Sequence, residues 1–116
     1  MAMAIDQDQY RALLDDLRDE SEELLTTLFD MPDPQWSLRT PSAGWDVHDQ
    51  VVHLAYFDDM ALLAMTQPDK FQIKADGAVA VGPDWVDEIS HSRRALPPSE
   101  VLAGFAQARA ALLEAW

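Results

Sequence analysis

The sequence predicts an all-α protein, an antiparallel helix bundle. In three segments apolar residues recur every three or four positions, and prolines and glycines gather between those segments. No apolar–polar alternation of the kind found in strands extends beyond a few residues. A chain of 116 residues is expected to fold as one domain over residues 1–116.

The first helix is predicted from about Ile5 to Phe29. Asp and Glu side chains fill one face, and the opposite face is an apolar stripe of Tyr10, Leu13, Leu14, Leu17, Leu24, Leu25 and Leu28. Two prolines in the segment DMPDP, residues 30–34, end this helix.

The second helix is predicted from about Asp46 to Met65. Asp46 suits the N-cap, and Asp49 suits the N3 position of a capping box. Projection at about 100° per residue gives one stripe of Val47, Val51, Leu54, Ala61, Leu62 and Met65, and another direction with Val52, Tyr56 and Leu63. A helix that is apolar nearly all round is expected to be covered on most sides.

The remaining segments predict a loop and a third helix. Residues 67–83 contain two prolines and two glycines without a clear helical period, which predicts a long loop over one end of the bundle. The third helix is predicted to start near Pro83, to break or pause at LPPS, residues 96–99, and to resume at about Ser99. Its later stripe consists of Val101, Leu102, Phe105, Leu112, Leu113 and Trp116.

Composition excludes several classes of function. The formal charge of −13, from 21 acidic and 8 basic residues, disfavours nucleic-acid binding. The absence of cysteine excludes disulfides, thiolate metal sites and a cysteine nucleophile. Residues 1–8 show no signal peptide and no apolar run is long enough for a membrane span, so a cytoplasmic location is expected.

His53 is the candidate metal ligand of the second helix. It lies on a different side from the Val47 stripe, and its ring nitrogens require partners, which are either structural or a metal ion. Asp49 precedes it by one turn and would be the side chain that orients the imidazole. His48 lies about 140° away around the helix and cannot chelate the same ion, whereas His91 is expected on the surface.

Asp58 and Arg109 form a candidate buried ion pair. Asp58 falls within the Val47 stripe, where an unpaired carboxylate would cost several kcal/mol. Arg109 falls inside the stripe of the last helix and could meet it there. The alternative is that Arg109 extends to solvent along the edge of its stripe.

The stretch GWDVHDQVVHLAYFDDMALLAM, followed by a connecting segment and LPPSEVLAGFAQARAALLEA, resembles the metal-binding domain of mycothiol-dependent maleylpyruvate isomerases. That domain belongs to the DinB-like four-helix bundles. The resemblance implies an up-down bundle holding a divalent metal, zinc or else nickel, with His53 of the HL pair as the first ligand. The other ligands of the family lie on a fourth helix in a Glu-xxx-His pattern, and this sequence contains no such helix.

Three explanations for that difference are open. The chain is a fragment of a longer protein, a degenerate member of the family, or one half of a symmetric dimer in which a second copy covers the exposed groove.

Two functions follow from the resemblance. In the first, the metal activates a low-molecular-weight thiol such as mycothiol, which attacks a small electrophilic substrate in an isomerisation or thiol transfer, with residues 67–83 as a lid. In the second, the chain is a non-catalytic, homodimeric helical module without the metal site. An acidic domain for a basic partner is a third interpretation, which rests on net charge alone.

Overall fold

The computed structural model describes residues 6–41 and 44–115, so the predicted positions of Ile5 and Trp116 lie outside the described residues. Contacts within the chain define two units, Met1–Asp30 and Met31–Trp116. The described residues form α helices and one 3₁₀ helix without a strand, which confirms the all-α prediction. That residues 1–116 form a single domain stays a prediction.

The first unit contains helix α1, Gln7–Asp30, close to the predicted bounds. The Asp6 carboxylate accepts a hydrogen bond from the Gln9 amide at 2.8 Å, as an N-cap side chain does. Pro32 and Pro34 follow the helix, and residues Asp33–Ser37 of the second unit form the 3₁₀ helix.

Helix α2, Val47–Thr66, begins where the sequence predicts. The Asp49 amide donates to the Asp46 carboxylate at 2.9 Å, and the Asp46 amide donates to the Asp49 carboxylate at 3.2 Å. This reciprocal pair is the predicted capping box, which satisfies two amides that the first helical turn leaves without partners.

The predicted loop over residues 67–83 is wrong, because most of this segment forms helix α3, Pro68–Val81. Pro68 is the first helical residue, where its missing amide costs nothing. Alanines at several later positions favour the helix, and Gly82, at φ +95°, ends it. The prolines and glycines that suggested a loop therefore mark the ends of a helix whose apolar residues do not form a single stripe.

The predicted third helix is divided in two. Helix α4 covers Trp85–Ser92 and helix α5 covers Pro98–Ala115, with the predicted break between them. Pro97 and Pro98 explain the break, since neither can continue a helix interior, while Pro98 suits the first position of α5.

Helix α2 lies at the centre of the second unit and contacts α3, α4, α5 and the 3₁₀ helix. The buried apolar side chains of this unit are Trp36, Val51, Val52, Val101, Phe105, Ala108 and Leu112. Most of them lie where α2 and α5 pack together, so the core of the unit is formed by these two helices. None of the helices in residues 6–41 and 44–115 has both the length and the apolar character needed to cross a lipid bilayer.

Candidate functional site on helix α2

The first turn of α2 brings Asp49 to Arg94, which follows α4. Arg94 Nε donates to Asp49 Oδ1 at 3.3 Å and Arg94 Nη2 donates to Asp49 Oδ2 at 3.2 Å. Burial alone would raise the pKa of Asp49, but the hydrogen bonds from Arg94 and from the Asp46 amide outweigh it and lower that pKa. Asp49 is therefore an ionised carboxylate that joins the start of α2 to the segment after α4.

The sequence suggested His53 as the partner of the Asp49 carboxylate, whereas in the structure its partners are Arg94 and the Asp46 amide. The capping box turns its carboxylate toward the helix start, and the Arg94 cation then occupies both oxygens. Within the described part of the chain, no hydrogen bond joins Asp49 to His53. The orienting role of Asp49 would require the carboxylate to leave Arg94.

His53 lies one turn further along α2, between two aromatic rings. Its ring centroid is 5.0 Å from that of Trp45 and 4.4 Å from that of Phe57. Its ring nitrogens form no hydrogen bond with any residue of 6–41 or 44–115. Burial lowers the pKa of His53 below its ordinary value of 6.5, so the imidazole is neutral at pH 7, the form that binds metals.

A different set of side chains has the spacing of metal ligands. The ligand atoms of Asp46, His48 and Asp49 lie within 4.8 Å of one another. The capping box accounts for the approach of the two carboxylates, and Arg94 already supplies a cation to Asp49. Since His48 Nε2 donates to the Leu96 carbonyl oxygen at 2.9 Å, this group is explained as a structural helix start.

The described residues therefore do not complete a metal site around His53. A catalytic zinc site takes three protein ligands and an open position. The group of Asp46, His48 and Asp49 does not include His53, and Asp49 is engaged by Arg94. What the described residues supply is one neutral imidazole without a hydrogen bond.

The structure brings Asp58 and Arg109 together between α2 and α5. Arg109 Nε donates to Asp58 Oδ2 at 2.6 Å and Arg109 Nη2 donates to Asp58 Oδ1 at 3.1 Å. The side chains are 9% and 16% exposed for Asp58 and Arg109, respectively. The Arg109 guanidinium also lies 5.2 Å from the centroid of the Phe105 ring. This pair joins the two helices that form the core.

An aromatic cluster lies on the side of α2 away from Asp58. It is defined as His53, Tyr56 and Phe57 of α2 together with Trp45 and Trp85. The Trp85 centroid lies 5.8 Å from both the Tyr56 and the Phe57 ring, which places the start of α4 against α2. The Trp45 indole N–H donates to the Asp87 carboxylate of α4 at 3.0 Å. The cluster therefore extends from His53 to α4.

A cavity of about 600 Å³ adjoins this cluster, between α2, α3 and the start of α4. Tyr56, Phe57 and Trp85 line one side. Phe71, Ala75 and Ala78 of α3 line the other. His53 contacts the ring of Phe57 and so lies next to the cavity wall.

Sequence reasoning missed Arg94, Lys74 and the structural role of His48. His48 is buried and its ring contacts Trp36 edge-on at 6.4 Å, whereas the sequence offered no partner for it. Lys74 lines the cavity from helix α3. Its place in the lining could not be predicted, because residues 67–83 were predicted to form a loop. His91 is exposed, as predicted.

These features define an all-α protein in which helix α2 carries a neutral histidine beside an apolar cavity. The chain belongs to the mycothiol maleylpyruvate isomerase N-terminal domain family, whose model matches residues 11–116. This confirms the family that the HL-containing stretch suggested.

Two curated relatives are uncharacterized proteins of Mycobacterium tuberculosis, from strains CDC 1551 / Oshkosh and ATCC 25618 / H37Rv. Each is 32% identical to this chain over 99 residues, which are 85% of this chain and 38% of the relative. The chain thus spans about 38% of the length of the curated relatives that it matches. No solved structure matches the chain.

Proposed function

We propose that this chain is the metal-binding domain of a thiol-dependent isomerase or thiol transferase. Mycothiol or a similar thiol would be the cosubstrate, a small electrophile the substrate, and zinc or nickel the metal. The observation that carries the proposal is the state of His53 on α2 in a chain of this family: its imidazole is neutral and forms no hydrogen bond with any of the described residues.

In this proposal His53 contributes one metal ligand, and residues outside the described set contribute the others. The family match and the length of the relatives support this, since much of each relative lies outside the matched segment. Asp49 would assist His53 only after leaving Arg94, so its second role is proposed for the complete site alone.

The metal proposal is tested by titrating the chain with Zn²⁺ and with paramagnetic Ni²⁺ while the histidine ring resonances are followed by NMR. A single imidazole binds weakly, but paramagnetic broadening detects weak binding. We expect the His53 resonances to broaden first and His53→Ala to remove that effect. His91→Ala is the matched control, because His91 is an exposed histidine outside the cluster.

Other patterns of broadening would contradict the proposal. Broadening that starts at His48, with the Asp46 and Asp49 signals, would locate the metal at the helix start instead. Broadening that starts at His91, or that persists unchanged in His53→Ala, would contradict the role of His53.

The thiol proposal has a separate test. Isomerisation of maleylpyruvate is followed with the protein in the presence and absence of mycothiol, using wild type and His53→Ala. We expect activity that requires both mycothiol and His53. Activity without the thiol would contradict the proposed reaction class.

A second candidate is a non-catalytic homodimeric module. Helix α3 favours it, because Ile73 is 71% exposed and Val79 is 81% exposed. Sedimentation equilibrium of wild type and of Ile73→Lys tests this candidate. It requires a dimer that the substitution dissociates, and a wild-type monomer at all concentrations would exclude it.

A further inference from the structure

The cavity between α2 and α3 has the size and lining of a small-molecule site. Its volume of about 600 Å³ lies in the range of ligand pockets. Rings of Tyr56, Phe57 and Trp85 form one wall, and small alanine side chains of α3 leave room opposite them. Such a space fits a flat aromatic or branched hydrocarbon group.

Lys74 is the charged side chain of this lining. It lies on α3, lines the cavity and is exposed. A lysine in such a place can lay its apolar stem along apolar surface and keep its ammonium in water. Asp59 and Glu88 are the acidic groups near it, but Lys74 forms no ion pair or hydrogen bond with any residue of 6–41 or 44–115. The Lys74 charge acts on the Asp59 carboxylate through space, but no salt bridge within the described residues fixes the ammonium there.

We propose that the cavity binds a small apolar anion, with its hydrocarbon body between the α2 aromatic rings and α3 and its carboxylate on Lys74. Charge favours this occupant over a second copy of the chain, because a second copy brings a formal charge of −13 toward a chain of the same charge, whereas a small carboxylate brings a single negative charge to Lys74. The site goes beyond the proposed metal function and does not depend on it, since Lys74 and the cavity are defined without His53.

The test uses naphthylacetate and its neutral analogue naphthylethanol as probes, with binding to the chain measured by isothermal titration calorimetry at fixed ionic strength. We expect saturable one-to-one binding of both. Naphthylacetate is expected to bind about fivefold more tightly than naphthylethanol, because an exposed ion pair contributes ~1 kcal/mol.

Two substitutions, each with a matched control, separate the effect of the charge from that of the cavity. Lys74→Gln should remove the preference for naphthylacetate while naphthylethanol still binds. Lys70→Gln is the matched control on the same helix, because Lys70 does not line the cavity, and it should keep the preference. Ala75→Trp should fill the cavity and abolish binding of both probes, whereas Ala80→Trp, exposed and outside the lining, should not.

Several results would overturn the proposal. One is equal affinity of the wild type for the two probes, and another is an equal effect of Lys70→Gln and Lys74→Gln. Absence of saturable binding is a third.

A dimer whose formation excludes the probes would also overturn the proposal, because it would assign the cavity to a second copy. Lys74→Gln is a surface change in a helix and should fold, so the test does not depend on Ala75→Trp. Metal binding at His53 should be unchanged in Lys74→Gln, which keeps failure of this site distinct from failure of the metal proposal.

Discussion

The two sides of α2 that face α5 and α3 are built differently. Toward α5 the helix meets the buried residues Val101, Phe105, Ala108 and Leu112. Toward α3 it meets a helix of which no residue is buried, although the structure describes all of it, and a cavity remains between them. One apolar helix therefore supports a packed interface and an open one.

Polar and charged groups differ in the same way. On the packed side Asp58 and Arg109 bond to each other through two hydrogen bonds. On the open side the ring of His53 and the ammonium of Lys74 have no hydrogen bond within the described residues. A polar group that is already hydrogen-bonded within the protein stabilises the fold, whereas one that is not hydrogen-bonded is available to a ligand or metal.

The largest expected effect is loss of the core on the packed side. Phe105→Ala should lower the free energy of unfolding by about 4 kcal/mol, because Phe105 is fully buried and a cavity would remain. Ile73→Ala on α3 is the control and should change stability by no more than about 0.5 kcal/mol, since Ile73 is exposed. Urea unfolding measures both, and similar losses would remove the contrast between the two sides.

Breaking the Asp58–Arg109 pair should have a slightly smaller effect. Asp58→Ala is expected to cost about 3 kcal/mol, because it deprives a mostly buried guanidinium of its carboxylate. The double variant Asp58→Leu with Arg109→Met should recover much of that loss, since it removes both charges. Chemical denaturation of the wild type, Asp58→Ala and the double variant tests this. A cost of Asp58→Ala below about 1 kcal/mol would show that the pair contributes no more than an exposed ion pair.

The smallest effect concerns the pH dependence of His53. Because its folded pKa lies below the ordinary value of 6.5, the unfolded chain binds more protons under mildly acidic conditions. The contribution of the neutral His53 ring to the free energy of unfolding is therefore fully present above pH 6.5 and is lost as the pH falls through the folded pKa. His53→Gln should give a shallower decline of stability with falling pH, measured by thermal unfolding, and an unchanged slope would show that burial does not disfavour its charged form.

Much of the packed side could be predicted from the sequence. The capping residues Asp46 and Asp49 gave the start of α2, and the LPPS segment gave the break before α5. The helical projection placed Asp58 and Arg109 within the apolar stripes of their helices, because both helices have regular apolar periods, and so suggested the pair as one of two alternatives for Arg109. Such periods exist where a helix packs against a core on one side.

The open side could not be predicted in the same way. Helix α3 has no single apolar stripe, since it buries no residue, and its prolines and glycines resembled those of a loop. The partner of Asp49 was equally hidden, because Arg94 is 45 residues away in sequence. The one-turn spacing suggested His53 as the partner of Asp49, whereas in the structure Asp49 forms a long-range ion pair with Arg94.

The contrast between the two sides of α2 is tested most directly by amide hydrogen exchange of the chain with and without naphthylacetate. Without the probe, amides of α3 should exchange faster than those of α2 and α5. Addition of naphthylacetate should slow exchange in α3 and leave α5 unchanged. Exchange in α3 as slow as in α5 before addition, or protection that appears in α5, would contradict the assignment of the packed side to stability and the open side to binding.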